Sequence, residues 1–291
     1  MSLLDLRRRL KSINSTQKIT KAMEMVAASK MKKAQDAALS GRPYAEELAR
    51  LIENLVRRSG GTLQHPFFET REEPRKILFL FFTTDRGLCG AFNSNISRHL
   101  LKRELQPGQV RAIVAVGRKG MQFCKHIGEN VIAEFEGLSD KPDFLATAPI
   151  TRIATNGFLN KEFDEVILLY NHFVNTMTQR ITEKVLLPFT APEAETREDR
   201  IASQVEYLFE PSGEEVFERI LPRYLETIVY QSVLESNASE QSARMVAMKS
   251  ASENAGELIN TLTLEMNKAR QAGITTELLE IVGGVEALAE S

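Results

Sequence analysis

The chain has 291 residues, of which 43% are hydrophobic and 26% are charged, and its formal net charge is -2. This length and composition can bury a full hydrophobic core, suggest two structural units, and exclude a disordered chain. A net charge so close to zero excludes a general affinity for polyanions. No stretch approaches the roughly 20 apolar residues of a transmembrane helix, and the N-terminus lacks the apolar core of a signal peptide, so we expect a soluble protein without a signal or transit peptide.

The first predicted element is a long helix from about Leu3 to Arg58. Its apolar or small residues recur at steps of three and four: Leu3, Leu6, Leu10, Ile13, Thr20, Met23, Ala27, Met31, Ala34 and Ala38. We expect an interruption or kink at Gly41-Arg42-Pro43, because proline lacks the N–H group that a helix interior needs. Nine basic residues against two acidic ones within residues 1–33 indicate either an acidic partner or a solvated helix face.

The middle of the chain alternates short apolar runs with amphipathic stretches. The predicted elements are strands at 77–82, 110–116, 131–135 and 165–173, helices at 91–105, 119–127 and 144–159, and a last strand at 178–187 that pairs back as a hairpin. Such alternation predicts a small, mostly parallel sheet with helices packed on it.

The last predicted element is a helix that continues to about Ala289 and absorbs Pro222 as a kink. It follows an acid-rich linker after Pro188, with Ser212 as its N-cap and Glu215 completing a capping box. Its seam has the coiled-coil period, and its members are Leu234, Ala238, Gln241, Met245, Met248, Ser252, Ala255, Ile259, Leu262, Met266, Ala269 and Gly273. A helix of this length needs a partner, and the N-terminal helix can supply one.

The predicted fold is therefore α/β plus long helices: an antiparallel coiled coil of the two terminal helices, with a Rossmann-like, mostly parallel α/β domain inserted between them. The predicted domains are a coiled-coil helix at 1–60, the α/β domain at 75–190, and a second coiled-coil helix at 212–289 that pairs with the first. This organisation favours mechanical transmission over chemistry.

The residues that could carry chemistry do not form a recognisable active site. Gly87-Leu88-Cys89-Gly90 and Gly117-Arg118-Lys119-Gly120 follow strands, but neither completes a dinucleotide or phosphate-loop pattern. The four histidines lack metal-ligand spacing, and Cys89 and Cys124 form no CxxC pair, so reduced structural thiols are expected. The basic first helix has no aromatic residue before Tyr44 to stack on nucleic-acid bases. We therefore predict no catalytic, cofactor or metal residues and no nucleic-acid partner.

Three blocks of sequence resemble the gamma subunit of F-type ATP synthases, of the bacterial type. They are residues 7–35 (RRRLKSINSTQKITKAMEMVAASKMKKAQ), residues 84–93 (TDRGLCGAFN), and, near the C-terminus, RMVAMK at 244–249, Asn254-Ala255-Gly256, and NKARQAGITTELLEI at 267–281. One departure is Gly284-Val285, where the family usually continues Gly-Ala. The link between Pro188 and Tyr207 also lacks the cysteine-bearing insertion of photosynthetic relatives, so thiol regulation of that kind is not expected.

The resemblance implies a non-catalytic central-stalk rotor that couples ion flow to conformational cycling of the catalytic beta subunits, reversibly. The implied partners are three alpha and three beta subunits, the epsilon subunit and the proteolipid ring of the membrane sector, at the cytoplasmic face of the bacterial plasma membrane. The implied contact positions on the alpha/beta collar are Lys18, Met23, Arg244, Arg270, Gln271, Thr275 and Glu277. Some of these residues could instead only stabilise the coiled coil. Two alternative functions remain: a soluble α/β enzyme with helical oligomerisation arms, and a coiled-coil adaptor.

Overall fold

The computed structural model describes residues 3–58, 65–71, 75–138, 142–189 and 213–289. The predicted Ser212 N-cap, the acid-rich linker and the Ser59-Gly60-Gly61 helix end lie outside these residues. The chain divides into two compact units. The terminal unit comprises Met1–Ala27 with Met245–Ser291, and the central unit comprises Ala28–Arg244.

The central unit contains a five-stranded sheet in the order β3-β2-β1-β4-β5. The strands are β1 (Lys76–Phe82), β2 (Val110–Val116), β3 (Val131–Phe135), β4 (Glu165–Phe173) and β5 (Gln179–Leu187). The first four are parallel, and β5 runs antiparallel to β4. The helices are α1 (Leu3–Arg58), α2 (Phe92–Lys102), α3 (Arg118–His126), α4 (Phe144–Leu159) and α5 (Gly213–Ala289), and a 3₁₀ helix spans Pro66–Phe68. The predicted fold class is confirmed.

Strand β1 lies at the centre of the sheet because six of its seven residues are apolar and fully covered. Its alternate side chains point to opposite faces, as in any strand. Leu78, Leu80 and Phe82 pack in one apolar cluster with residues of α1, α4 and α5, and Ile77, Phe79 and Phe81 pack in a second cluster with α2 and α3. The continuous apolar run that predicted a strand covered on both faces is thereby explained.

Helix α1 is continuous from Leu3 to Arg58 with Pro43 inside it, so the predicted interruption at Gly41-Arg42-Pro43 does not occur, whereas the alternative, a kink there, stays a prediction. Tertiary contacts within the central unit hold this segment in helical form. The Gln231 side chain donates to the Ala38 carbonyl at 2.8 Å, and Arg42 binds both Glu235 and the Phe173 carbonyl. A Cβ on Gly41 would meet Gln231 Oε1 at 2.5 Å, so the small residue permits this close approach. These contacts offset the helix bond that Pro43 cannot make.

The buried or partly buried residues of the α1 seam recur at alternating steps of three and four. They are Leu3, Leu6, Leu10, Ile13, Gln17, Thr20, Glu24, Ala27, Met31, Ala34, Ala38, Gly41, Ala45, Leu48 and Ile52. In the terminal unit, Gln17 Nε2 lies 3.4 Å from the Ser252 carbonyl and packs against Gly256. In the central unit, Ala34 packs with Ala238 and Phe173. The two long helices therefore pair along the predicted seams, within each unit, in antiparallel order.

Candidate functional site

The C-terminal part of α5 is uncovered along its described side chains in the terminal unit. Every residue from Arg270 to Val282 is exposed. This stretch contains five large apolar side chains that are between 51% and 66% exposed: Ile274, Leu278, Leu279, Ile281 and Val282. Four of the predicted contact residues lie here and are exposed: Arg270, Gln271, Thr275 and Glu277. We call residues 270–282 the open segment.

The open segment lies beyond the described residues of α1. Gln17 of α1 contacts Ser252 and Gly256 of α5. The two helices are antiparallel and have the same rise per residue, so Leu3, which precedes Gln17 in α1, lies level with about residue 268 of α5. Ala269 is accordingly partly buried and Gly273 is exposed, so the predicted seam is correct to Ala269 and wrong at Gly273. Exposed apolar surface on this scale is typical of a protein contact.

A second surface of the terminal unit lies around Lys18 and Met23. Lys18 is exposed and Met23 is partly buried. A groove of about 500 Å³ is lined by Gln17, Lys18 and Lys21 of α1 and by Ser252, Glu253 and Gly256 of α5, among others. The seam residue beside Met23 is Glu24, whose side chain is 17% exposed and forms an ion pair with Lys21 at 3.0 Å. Gln17 and Glu24 were absent from the predicted seam, although a strict three-four count from Leu3 includes both.

Arg244 lies in a different environment from the other predicted contact residues. Its side chain is 11% exposed and pairs with Glu240, which is 5% exposed, at 2.7 Å. It also donates to the carbonyl oxygens of Arg86 and Gly87, each at 3.3 Å. Arg244 therefore links α5 to the loop between β1 and α2 inside the central unit.

The Thr84–Asn93 motif comprises that loop and the first residues of α2, and its polar residues bind the chain itself. Asp85 accepts hydrogen bonds from the backbone N–H groups of Arg118 (3.1 Å) and Gly137 (2.9 Å). Asn93 donates to the Thr84 hydroxyl at 2.7 Å and accepts from its backbone N–H at 3.2 Å. The motif thus ties the carboxyl ends of three strands together and presents the carbonyl groups that Arg244 binds.

The glycines that could have formed a phosphate loop serve close packing. The backbone of Gly117 has a positive φ of 98°, and a Cβ on Gly120 would meet the Thr83 hydroxyl at 2.6 Å and Phe81 at 2.9 Å. Gly120 N–H donates to the Thr83 hydroxyl at 2.8 Å. Helix α3 therefore approaches β1 more closely than any other residue type would allow.

The two cysteines are free and buried, as predicted. Burial raises the pKa of the Cys89 thiol, and burial together with the charge of Glu129 raises the pKa of Cys124 to about 12. Because the thiolate is the reactive form, both thiols are poor nucleophiles at neutral pH.

A polar cluster that the sequence did not predict joins α1, β4 and α5 in the central unit. Glu235 is 6% exposed and binds His172, Arg42 (3.3 Å) and Gln231 (3.3 Å). Burial, and then the charge of Glu235, raises the pKa of Tyr170 to about 12. The surrounding part of α5, residues 232–242, is buried on every face although most of it is polar. Hydrophobic periodicity in this segment indicates only the seam at Leu234, Ala238 and Gln241, and it does not predict that the other faces of the helix are buried.

Two features bear on the class of protein. Among the described residues, no group of three His, Cys, Asp or Glu side chains could hold a metal ion. In the same residues, no helix combines the length and the apolar character needed to cross a membrane.

Comparison with known proteins identifies the family. A profile of the family described as ATP synthase matches residues 2–288. The chain is 44% identical to the ATP synthase gamma chain of Pelotomaculum thermopropionicum, with 99% of each chain covered, and 46% identical to that of Desulforamulus reducens, with 98% covered.

Solved structures of ATP synthases also contain chains that are similar to this one. A chain of the central stalk and c-ring of the Tetrahymena thermophila mitochondrial ATP synthase matches with a TM-score of 0.61 and 30% identity, over 80% of this chain and 99% of that chain. A chain of the Euglena gracilis OSCP/F1/c-ring structure shares the fold, with a TM-score of 0.69 at 20% identity over 98% of this chain and 94% of that one. The chain belongs to the ATP synthase gamma chain family.

Proposed function

We propose that this chain is the central-stalk rotor of an F-type ATP synthase, coupling ion flow through the membrane sector to conformational cycling of the catalytic subunits. The observation that carries the proposal is the open segment: a continuous helix that leaves its only described partner helix at about residue 270 and exposes five large apolar residues on the way to Val282. An exposed apolar surface of this kind is typical of a site that binds other chains.

The proposed partners follow from the family. Three alpha and three beta subunits surround the paired terminal helices, and the α/β domain binds the epsilon subunit and the proteolipid ring, at the cytoplasmic face of the bacterial plasma membrane. The chain itself is non-catalytic in this proposal, and the beta subunits, at their interfaces with alpha, carry the chemistry. The proposed domain limits are 1–60, 75–190 and 212–289.

The proposed mechanism is differential contact. One rotor that faces three chemically identical sites makes different contacts with each, and so biases each toward a different conformation. Turning the rotor changes which site is biased, so that product ATP is released from each in turn. Because coupling free energy is reciprocal, ATP hydrolysis turns the rotor backwards and pumps ions.

The proposed collar contacts divide into two classes. Arg270, Gln271, Thr275 and Glu277 are exposed on the open segment, and Lys18 is exposed and lines the groove of the terminal unit, so these five are available to a partner. Met23 is partly buried and offers a partner only part of its side chain. Arg244 is already bound to Glu240 and to the loop carbonyls of Arg86 and Gly87. A collar contact of Arg244 would use only the small exposed part of its side chain, and the rest of the group fixes the α5 helix against the motif loop.

Rotation can be observed directly. Met177 is 77% exposed between β4 and β5, whereas Cys89 and Cys124 are 2% and 0% exposed, so Met177→Cys gives one reactive thiol for an optical probe. With this chain assembled and the alpha and beta subunits fixed to a surface, the probe should turn in one direction when ATP is added. A probe that stays still while the complex hydrolyses ATP would contradict the proposal.

The alternatives give different results. A soluble α/β enzyme would turn over a substrate as the isolated chain, and a coiled-coil adaptor would bind partners without rotating. Full-length similarity to gamma chains of ATP synthases does not favour either.

A further inference from the structure

The polar cluster around Glu235 connects the two long helices to the sheet within the central unit. We call it the Glu235 cluster, and it consists of Glu235 and Gln231 of α5, Arg42 of α1 and His172 of β4. All four residues lie within the unit Ala28–Arg244. The Glu235 side chain is only 6% exposed. One buried carboxylate therefore binds side chains from two helices and a strand.

The two oxygens of Glu235 divide these partners between them. Oε1 accepts hydrogen bonds from Arg42 Nε and Gln231 Nε2, each at 3.3 Å. Oε2 accepts a hydrogen bond from His172 Nδ1. Arg42 also donates from Nη2 to the Phe173 carbonyl oxygen at 3.1 Å. The cluster thus holds α1 to α5, α1 to β4, and α5 to β4.

Apolar packing is sparse in the same part of the central unit. Among the described residues, the buried apolar cluster at this end of β4 has three members, Ala34, Phe173 and Ala238. The next contacts of α5 with the β4–β5 hairpin are polar as well. Ser239 donates to the Asn171 carbonyl oxygen at 3.0 Å, and Ser242 donates to the Thr176 carbonyl oxygen. Hydrogen bonds therefore set how the helices meet this end of β4.

Hydrogen bonds and apolar contacts resist movement differently. The hydrophobic effect is non-directional, so a helix can turn or slide slightly over an apolar surface while the buried area changes little. A hydrogen bond weakens steeply when its angle departs from linear. Separating a buried charge from its partners is costly, because the charge is then uncompensated. A carboxylate bound to three elements therefore fixes their rotation and register relative to one another.

We propose that Glu235 is the positioning residue that fixes α1 and α5 on the sheet while torque passes between the α/β domain and the two helices. This inference rests on the proposed rotor function, in which the proteolipid ring turns the domain and the helices act on the catalytic subunits. Apart from the covalent links, that torque crosses the contacts of α1 and α5 with the sheet. The Glu235 cluster is a directional contact that includes both helices and a strand of the sheet.

The test replaces Glu235 by glutamine in the assembled complex in membrane vesicles. Glu235→Gln keeps the shape of the side chain, but its amide has one acceptor oxygen and turns an NH₂ group toward donors, so it cannot accept from all three partners. We expect assembly and ATP hydrolysis to persist. The number of ions pumped per ATP should fall at least about twofold against an opposing ion gradient, because the helices slip on the sheet under load. The gradient should also slow hydrolysis less than in the unmodified complex.

Glu183 supplies a matched control, because its partners are of the same kinds but lie elsewhere. This residue of β5 forms hydrogen bonds with His99 (2.9 Å) and Arg103, and both of these residues lie on α2. Glu183→Gln should leave the ratio of pumping to hydrolysis unchanged. A general loss of stability would lower pumping and hydrolysis together, so a change in their ratio is specific to slipping.

Arg42→Lys is the second variant of the cluster. It keeps the positive charge but replaces the planar fork that binds Glu235 and the Phe173 carbonyl oxygen together by a single ammonium group. Its pumping ratio should fall by less than that of Glu235→Gln. An unchanged ratio in Glu235→Gln, an equal fall in Glu183→Gln, or failure of both cluster variants to assemble would each overturn the proposal.

The rotation experiment with Met177→Cys separates this inference from the rotor proposal. Rotation of that probe together with a normal pumping ratio in Glu235→Gln would overturn only the role of Glu235. Hydrolysis without rotation in the otherwise unmodified chain would instead overturn the rotor function.

Discussion

The sheet of the central unit and the open segment of α5 use similar apolar residues in opposite ways. In β1, six consecutive residues are covered by helices of the same chain. In residues 270–282, five large apolar residues face outward. The sheet is therefore stable through contacts made by this chain, whereas the open segment leaves its apolar residues available to other chains. The comparison separates residues that maintain the fold from residues available for assembly.

A matched pair of leucines gives the largest expected difference. Leu80 is 0% exposed in β1 and Leu278 is 57% exposed in the open segment. Leu80→Ala should lower the free energy of unfolding of the isolated chain by about 2–5 kcal/mol, because it leaves a cavity in the core. Leu278→Ala should change it by less than about 0.5 kcal/mol. Urea denaturation measures both, and comparable losses would remove the distinction between the two regions.

Arg244 could belong either to the residues that maintain the fold or to those available for assembly. The family resemblance implies that it contacts a partner subunit, whereas in the structure its side chain is bound within its own chain. Arg244→Ala removes the ion pair with buried Glu240 and two hydrogen bonds to the motif loop. The isolated chain should lose about 2–3 kcal/mol of unfolding free energy.

The matched control for Arg244 is Arg118, which forms an ion pair with Glu136 on the surface. The Arg118 side chain is 53% exposed and the Glu136 side chain is 41% exposed. Arg118→Ala should cost less than about 1 kcal/mol. Unchanged stability in the Arg244 variant would mean that this arginine acts chiefly on a partner, as the other collar positions are proposed to do.

Arg270 should show the opposite behaviour. It is exposed on the open segment, so Arg270→Ala should leave the unfolding free energy of the isolated chain within about 0.5 kcal/mol of the original. In the assembled complex, loss of an intersubunit charge contact should slow ATP hydrolysis up to about fivefold, corresponding to roughly 1 kcal/mol. A normal rate together with normal assembly would exclude Arg270 as a collar contact.

The smallest expected effect concerns pH and the segment before β1. His65 Nδ1 accepts a hydrogen bond from Phe67 N–H at 3.1 Å, which requires the neutral ring. Burial lowers the pKa of His65, and the charge of Glu218 partly opposes that shift. Because the folded-state pKa lies below the unfolded value of about 6.5, the stabilising contribution is complete above that pH and is lost as pH falls through the folded-state pKa.

The variant that isolates this effect is His65→Asn, which keeps a hydrogen-bond acceptor for Phe67 N–H but does not titrate. Between about pH 8 and pH 5, the unfolding free energy of the original chain should fall by more than that of the variant. Identical pH dependence in the two proteins would show that His65 does not contribute.

Much of the fold could be predicted because the relevant physics is local. The apolar run at 77–82 and the alternation after it indicated the strands, and the three-four spacing from Leu234 to Ala269 indicated the helix seam. Helix ends were less accurate: the second helix was predicted over 91–105 and ends at Lys102. The continuity of α1 at Pro43 could not be predicted, because it depends on contacts of Ala38 and Arg42 with residues nearly 200 positions away in sequence.

The sequence by itself determined which elements form, which faces of them are apolar, and to which family the motifs are similar, because periodicity and motif spacing are properties of neighbouring residues. Only the tertiary structure decided that Arg244 is bound within its own chain and that residues 232–242 are buried although most of them are polar. The physical reason is that burial and hydrogen-bond partners are set by elements distant in sequence, and a residue's type does not specify which element will pack against it.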